Sequence, residues 1–480
     1  MSDAAARADR DAGRRDLVRA PLLRTSLRFG APIAAALCLH GVFNLVDLLV
    51  IARLGIEGAP AAINVASILV TAPFLVFDGI CNVAVALIAQ AKGARDGAEA
   101  HAVARDAAWL AVAVSAATCF PFLPVAARIL AGYDFGGPAA VAGGDYLRIM
   151  SLGAATMFLL LAATAALRGA GDSVRPMALL VGSNVLNLAL TVAMVHGVAG
   201  FPKLETAGAA WATVISRGLA VGAAVWWLRR GAGGFAARGS AFARPTHWGV
   251  LSAKGLSSSA QLVIRLASFA WVLRIAQEAA EGQAGTFLDG VTVAQRLDMT
   301  AVFAAIGWGA AATTLVGQNL GAGRARRAGV AAWCTMFHSA WSVGLMALAL
   351  WRFRDPLFSL IDPTLADAGR EAGYAYLRLT LPFAPILAAG ATLSRSLNGA
   401  LDVVTPLIVD FCCYLVLLPL AAGALSGAGL FGLFARGGPN PEGVWIALDV
   451  AHVAALLAYV FCFRRSARRW RAKEAGAAAA

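Results

Sequence analysis

The sequence predicts an all-α integral membrane protein with twelve transmembrane helices in two parallel six-helix repeats. Three observations predict it: the composition is too oily for water, twelve apolar stretches have spanning length, and one distinctive pattern occurs twice.

Composition sets the solvent. Hydrophobic residues make up 59% of the 480 and charged residues 14%, with mean hydropathy +0.71, against about 45–50% and about 25% in a soluble domain. Most of the long apolar runs lack the polar face that a surface helix shows. Cys38, Cys81, Cys119, Cys334, Cys412, Cys413 and Cys462 all lie inside apolar segments without metal-ligand or paired-loop spacing. They read as small packing residues, not as a disulfide framework.

Crossing roughly 30 Å of hydrocarbon takes about 20 apolar residues. Such stretches fall near 29–53, 61–90, 105–131, 145–167, 177–199, 206–228, 249–276, 286–316, 328–361, 372–397, 405–426 and 442–463. Six lie in each half, and an even number returns the chain to its starting side, so the two copies share one orientation.

The copies are visible in the letters. Tyr146-Leu147-Arg148-Ile149, followed by Ala166-Leu167-Arg168-Gly169-Ala170-Gly171-Asp172-Ser173-Val174-Arg175-Pro176, returns 230 residues on as Tyr376-Leu377-Arg378-Leu379 and Ser396-Leu397-Asn398-Gly399-Ala400-Leu401-Asp402-Val403-Val404-Thr405-Pro406. Gln90 to Ala94 is echoed by Gln318 to Ala322 at a shift of 228. Doubling of this kind in an apolar chain is how many transporters frame a central site.

A net charge of +13 would suggest a nucleic-acid partner in a soluble chain. Here the arginines collect at span ends in alternate loops, which speaks for topology and against nucleic acid. Arg7, Arg10, Arg14, Arg15, Arg19 and Arg24 precede the first span, and Arg464, Arg465, Arg468, Arg469, Arg471 and Lys473 follow the last. Loops of opposite parity such as 55–60 and 131–144 hold no Lys or Arg. Both termini are therefore expected in the cytoplasm. The organisation that follows is a cytoplasmic tail (1–28), an N-lobe (29–228), a cytoplasmic inter-lobe linker (229–248), a C-lobe (249–463) and a second tail (464–480). Nothing in the polar, Arg-rich 1–28 resembles a cleaved signal peptide, and the Ala-rich end after Lys473 is expected to be disordered.

The chain resembles the multidrug and toxic compound extrusion (MATE) family from about Leu17 to Arg469. The residues that carry the resemblance are Pro32 with Asn44-Leu45-Val46-Asp47 and Arg53-Leu54-Gly55; Leu167 to Asp172 with Pro176; Asn184-Val185-Leu186-Asn187; and Val316 to Gly323. It implies two six-helix bundles around a central cavity, exporting amphipathic, often cationic compounds in exchange for protons or sodium.

Asp47 is the leading candidate for coupling. A carboxylate stranded mid-span is costly to hold charged, so its ionisation becomes conditional on a proton, a cation or a cationic substrate. The family places an aspartate here, and Pro32 matches a proline at which the first helix can bend. The plainer reading, a structural carboxylate bonded to neighbouring helices, stays open. His40 sits two turns before Asp47, so both can line one face, and the resemblance places Asn44 in the same cavity. His40 satisfied by a backbone carbonyl is the alternative. Asn184 and Asn187 match the family's Asn-x-x-Asn, and buried amides need partners such as Asp47.

Two departures matter. Many members carry Asp-Pro four residues after the second Asn, where this chain has Thr191-Val192. A hydroxyl can still coordinate a cation or relay a hydrogen bond, but the site carries less negative charge, which favours protons over sodium. Where one branch uses a C-lobe glutamate in the seventh span, this chain has Arg265, and the tenth span offers Arg395 but no acid. Arg265 is expected either to snorkel or to pair with an acid such as Asp298 or Asp289 of the eighth span.

Asp78, Asp410, Asp449 and His452 read as structural, with Asp449 and His452 spaced i, i+3 as a hydrogen-bonded pair would be. Asp172 and Asp402, in the repeated turns, are expected to cap the helices that follow.

The expected function is cation-coupled antiport by alternating access, with H⁺ or Na⁺ as the coupling ion and no other cofactor. Asp47, Asn184, Asn187 and Thr191 would couple; His40, Asn44, Arg265 and Asp298 would line the substrate cavity. The partners are amphipathic small molecules and the bilayer, and the chain is a monomer in a bacterial inner membrane. No cluster of nucleophile, acid/base or metal ligands marks an enzyme. The alternative is a lipid-linked oligosaccharide or polysaccharide flippase of the same superfamily, which typically has more spans and more cavity arginines.

Overall fold

A computed structural model describes residues 17–52, 59–131, 137–198, 200–235, 244–280, 284–427 and 440–479. Among these residues the regular elements are helices, without a strand. In chain order they are α1 (Leu22–Ala52), α2 (Ala59–Gly93), α3 (Gly97–Cys119), α4 (Ala126–Ala131), α5 (Gly137–Leu152), α6 (Ala154–Gly169), α7 (Val174–His196), α8 (Glu205–Arg229), α9 (Trp248–Ala279), α10 (Ala284–Gly321), α11 (Ala325–Arg352), α12 (Arg354–Ile361), α13 (Asp367–Thr380), α14 (Ala384–Gly399), α15 (Val404–Asp410), α16 (Leu418–Leu425) and α17 (Pro441–Ala479). Eleven spans are long and apolar enough to cross a membrane, or twelve when α5 and α6, bent by 48° at Gly153, count as one. The protein is thus a multi-pass α-helical membrane protein.

Proline sets most of the breaks. The stretch read as one span over 328–361 divides at Phe353, because Pro356 has no N–H to return to Arg352 and fits only in the first turn of a new helix. A 3₁₀ turn at Leu381–Phe383, holding Pro382, separates α13 from α14. Pro419 likewise leaves the carbonyl of Leu415 without its usual donor. The preceding turns, Phe411–Leu417, widen to a π-helix in which Leu418 N–H reaches back to Cys413 O. At the other end, α17 runs on to Ala479 past Lys473. The Ala-rich tail expected to be disordered is helical, as alanine's low helical cost allows.

The described chain forms two compact units. One joins the described part of Met1–Cys38 to that of Ala260–Ala480; the other lies within Leu39–Ser259. In the first, Phe29 and Ile33 of α1 pack with Ala310, Ala311 and Leu315 of α10 and Ala331 of α11, and the ring of Trp308 lies against the backbone at Gly30. In the second, the α9 segment before Ala260 packs on α2, where Ser259 Oγ donates to Val76 O. The end of the linker is clasped by α3. Buried Asp106 accepts from the N–H groups of Thr246 and His247, at 2.8 and 2.9 Å, and His247 Nε2 meets Glu99 at 2.8 Å. Linker residues 236–243 lie outside the described residues.

The duplication is written in the backbone. After α2, Arg95 takes φ +62°, and after α10 its counterpart Gly323 takes φ +68°. Asp96 N–H bonds Ala91 O and Arg324 N–H bonds Asn319 O, both at 2.8 Å. After α6 and α14 the counterparts Gly171 and Leu401 sit at φ +89° and +61°. Asp172 then accepts from Val174 and Arg175 N–H, and Asp402 from Thr405 N–H, so both aspartates cap as expected.

Candidate functional site

Each unit holds its own polar interior. In the Leu39–Ser259 unit, Asn184, Asn187 and Thr191 share one face of α7 by their spacing. Asn187 and Thr191 are buried, and Asn187 Nδ2 donates to Thr213 Oγ1 of α8 at 3.0 Å. Thr213 in turn donates to Ala209 O at 3.0 Å. One helical turn apart on α2, Asn82 Nδ2 donates to Asp78 Oδ2 at 3.0 Å. The backbone of His40, Asn44 and Asp47 belongs to α1, while the side chains of all three lie outside the described residues.

The other unit holds two clusters of ionisable side chains. Arg265 of α9 pairs with Asp410 at the end of α15, and not with Asp298 or Asp289 as expected: Nη2 lies 2.9 Å and Nε 3.2 Å from Asp410 Oδ1. Tyr459 of α17 donates to the same oxygen at 2.5 Å, while Arg265 Nη2 approaches the Tyr459 hydroxyl at 3.2 Å. The guanidinium also lies over the Tyr414 ring, 5.2 Å from its centre. Asp410 and Tyr459 are fully buried. One turn before Arg265, Gln261 donates to Val403 O at 3.0 Å and accepts from Asn398 at 3.3 Å. Tyr414 follows Asp410 by four residues within the widened π turns, so acid and ring both meet one arginine. Arg265 neutralises the buried acid while its own side chain stays partly exposed, and the acid was missed as its partner because no sequence spacing ties the seventh span to the eleventh.

A second cluster is less committed. Tyr376 of α13 donates to Asp298 Oδ2 of α10 at 3.0 Å. Close helix approach permits this contact: a side chain at Gly290 would strike Gly369 O, and one at Gly373 would strike Gly290 O. Trp445 of α17 meets the Tyr376 ring edge-on at 4.8 Å. Asp449, one turn further along α17, lies within electrostatic reach of Asp298. Asp449 is 4% exposed, and its Oδ1 has no hydrogen-bond partner.

Trp445, Asp449, His452, Tyr459 and Phe463 recur at steps of three, four and seven, a single helix face. That face carries both clusters. Asp449 and His452 are not bonded to each other among the described residues; His452 turns instead to the Tyr414 ring, 5.8 Å away. The face was legible as a spacing of acid, imidazole and aromatic residues, but Tyr376, Tyr414 and Tyr459 gave no sign of their partners. Among the described residues no three His, Cys, Asp or Glu side chains converge as a metal site.

The fold and these polar interiors define a class: a duplicated, polytopic helical membrane protein with buried ionisable groups inside its spans. Comparison with known proteins names the family. The MatE family matches residues 32–193 and 257–422, and the chain belongs to it; this is a family of transporters, not of enzymes. The multidrug resistance protein PmpM of Pseudomonas aeruginosa is 24% identical over 93% of this chain and 92% of its own length. The probable multidrug resistance protein YoeA of Bacillus subtilis is 47% identical over 15% of this chain. The probable multidrug resistance protein NorM of Thermotoga maritima is 26% identical over 56%. The matches span 16% and 56% of those two relatives' own lengths. The outward-facing structure of a multidrug resistance MATE family transporter of the MOP superfamily shares the fold, with TM-score 0.83 and 20% identity over 95% of this chain and 98% of that one.

Proposed function

We propose that the protein is a cation-coupled antiporter that exports amphipathic, often cationic small molecules by alternating access, with protons favoured over sodium. The observation that carries the reading is the Asp298–Asp449 region. Two carboxylates sit inside spans without a basic partner in an ion pair among the described residues; one tyrosine hydroxyl holds Asp298, and Asp449 Oδ1 has no hydrogen-bond partner. A carboxylate so placed is expensive to keep charged. It becomes a group whose state a proton or a cationic substrate can switch, whereas Asp410 is already neutralised by Arg265.

Asp47 is proposed to couple in the other unit, with Asn184, Asn187 and Thr191 as its neutral neighbours, and Thr191 in place of a second acid favours the proton. His40, Asn44, Arg265 and Asp298 are proposed for the substrate cavity, Arg265 through its fixed pair. The named multidrug relatives support export of small molecules. The arginine-rich ends support cytoplasmic termini in a bacterial inner membrane, and the chain is proposed to act as a monomer.

The test is transport by purified protein in liposomes under separately imposed proton and sodium gradients. Asp47→Asn and Asp298→Asn should each reduce proton-driven export to the level seen without a gradient while leaving the thermal unfolding midpoint in place. Undiminished proton-driven export by both variants would refute the assignment. Movement of a lipid-linked oligosaccharide, with no export of cationic dyes, would establish the flippase instead.

A further inference from the structure

The arginines that follow the last span do more than bias topology. The start of α11 and the end of α17 lie side by side: the Trp333 and Phe463 rings meet edge-on at 5.6 Å, and a methyl placed on Gly329 would contact Ala467 at 3.9 Å. Two grooves open on this seam. One, of about 370 Å³, is lined by Trp333, Arg464, Ala467, Arg468 and Arg471. The other, of about 380 Å³, lies between Leu22, Val330, Arg324, Arg326, Arg327 and Glu474. Six arginines from two helices thus converge where Glu474 is the one acid lining either groove. Arg464, Arg468 and Arg471 have no ion-pair partner among the described residues; Arg464 lies over the Trp333 ring, 5.9 Å from its centre.

Below the arginines the same two helices expose an apolar surface. On α11, Phe337, Trp341, Leu345 and Leu348 are exposed at steps of four, four and three, and on α17, Phe461, Leu457 and Val450 are exposed at four and seven. A seam with guanidinium groups at its mouth and exposed hydrocarbon along its length matches one molecule: a phosphate on a pair of acyl chains. Arginine's planar fork suits phosphate oxygens, and an amphipathic ring such as that of Trp333 favours the boundary between headgroup and hydrocarbon.

We propose that the α11–α17 seam is a binding site for an anionic phospholipid of the surrounding bilayer, its phosphate held by Arg464, Arg468 and Arg471 and its chains lying along the exposed apolar face. Arginines serving topology alone would need no groove, no aromatic floor and no second helix. Basic pockets between spans are a recurrent way of holding acidic headgroups.

The test uses the full-length protein in an uncharged detergent, with bound lipid counted by native mass spectrometry. Phosphatidylglycerol and phosphatidylcholine of matched chains compete for it. The native protein should select phosphatidylglycerol, and R464Q/R468Q/R471Q should lower that selectivity by about a hundredfold, near fivefold per charge. R274Q, on α9 where the arginine pairs with Glu278, should leave it unchanged. Selectivity retained by the triple variant overturns the site, as does displacement of the lipid by inorganic phosphate, which would mark a free-anion site. Should the triple variant fail to fold, a photoreactive phosphatidylglycerol added to the native protein decides: crosslinks in α11 and α17 peptides support the site, and crosslinks elsewhere overturn it.

Discussion

The two units keep one backbone and have parted in chemistry. Their turns after α2 and α10 agree bond for bond, with Asp96 to Ala91 in one and Arg324 to Asn319 in the other. Their described interiors do not agree. The Leu39–Ser259 unit offers amides, Asn187 bonded to the Thr213 hydroxyl and Asn82 to the Asp78 carboxylate. The other offers an ion pair, Arg265 with Asp410, and two further carboxylates beside Tyr376. Turns and close helix crossings are constrained by hydrogen bonding and sterics that both copies must satisfy. A polar residue facing a span interior need only find a partner. Duplication therefore preserves the frame and releases the interior, and a two-unit transporter can place different ionisable chemistry in each half.

The comparison breaks most sharply at the ion pair. Arg265→Ala would leave fully buried Asp410 beside Tyr459 with no cation, and should destabilise the protein by about 3–5 kcal/mol. The paired replacement Arg265→Met with Asp410→Leu removes both charges and should recover most of that loss. Thermal unfolding of the three proteins in one detergent checks this. A double variant as unstable as the single one would mean that the pair contributes net stability, and that the interior of the unit holding it is not free to vary.

The shared crossings give a middle-sized effect, to be felt alike in both halves. A side chain at Gly399 would strike Thr313 O, and one at Gly169 would strike Ile88 Cβ and lie 3.0 Å from Val85 O. Gly399→Ala and Gly169→Ala should each cost about 1–3 kcal/mol of stability, with Gly399 the costlier because a backbone oxygen stands 2.6 Å from the added carbon. Equal tolerance at both glycines in a denaturation series would show that the crossings are not the conserved frame. In the linker clasp, His247→Ala removes the contact to Glu99 and one of those to Asp106 while keeping the backbone bond to Asp106. It should raise amide exchange in the 244–248 segment and leave exchange in α10 unchanged.

These features differed in how far the sequence announced them. The spans were legible because lipid demands length and apolarity from every crossing segment, and the repeat was legible because turn chemistry reuses the same letters. The break at Phe353 was read through, although Arg352, Arg354, Asp355 and Pro356 marked it, and the alanines after Lys473 carried a helix where low complexity suggested none. Of the candidate site, the sequence disclosed the ionisable groups but not their pairing. Arg265 could snorkel or pair, and Asp410, Asp289 and Asp298 were all available as partners. Which one it meets depends on helix packing and on the π turns after Asp410, neither of which leaves a periodic signal.

The finest test of the common frame uses a position where the copies adopt one conformation with different residues. Arg95 and Gly323 occupy matching turns at φ +62° and +68°. A left-handed backbone costs a non-glycine residue roughly 1–2 kcal/mol, partly offset by glycine's greater loss of chain entropy. Arg95 is exposed, and Gly323 has open space around it, so packing does not confound either exchange. Arg95→Gly should raise stability by about 0.5–1 kcal/mol, and Gly323→Ala should lower it by a similar amount. Opposite signs from equivalent positions would show that the turn geometry is imposed by the fold and merely tolerated by the sequence. A destabilising Arg95→Gly would show instead that the arginine's own contacts hold that turn, and that the two copies reach one shape by different means.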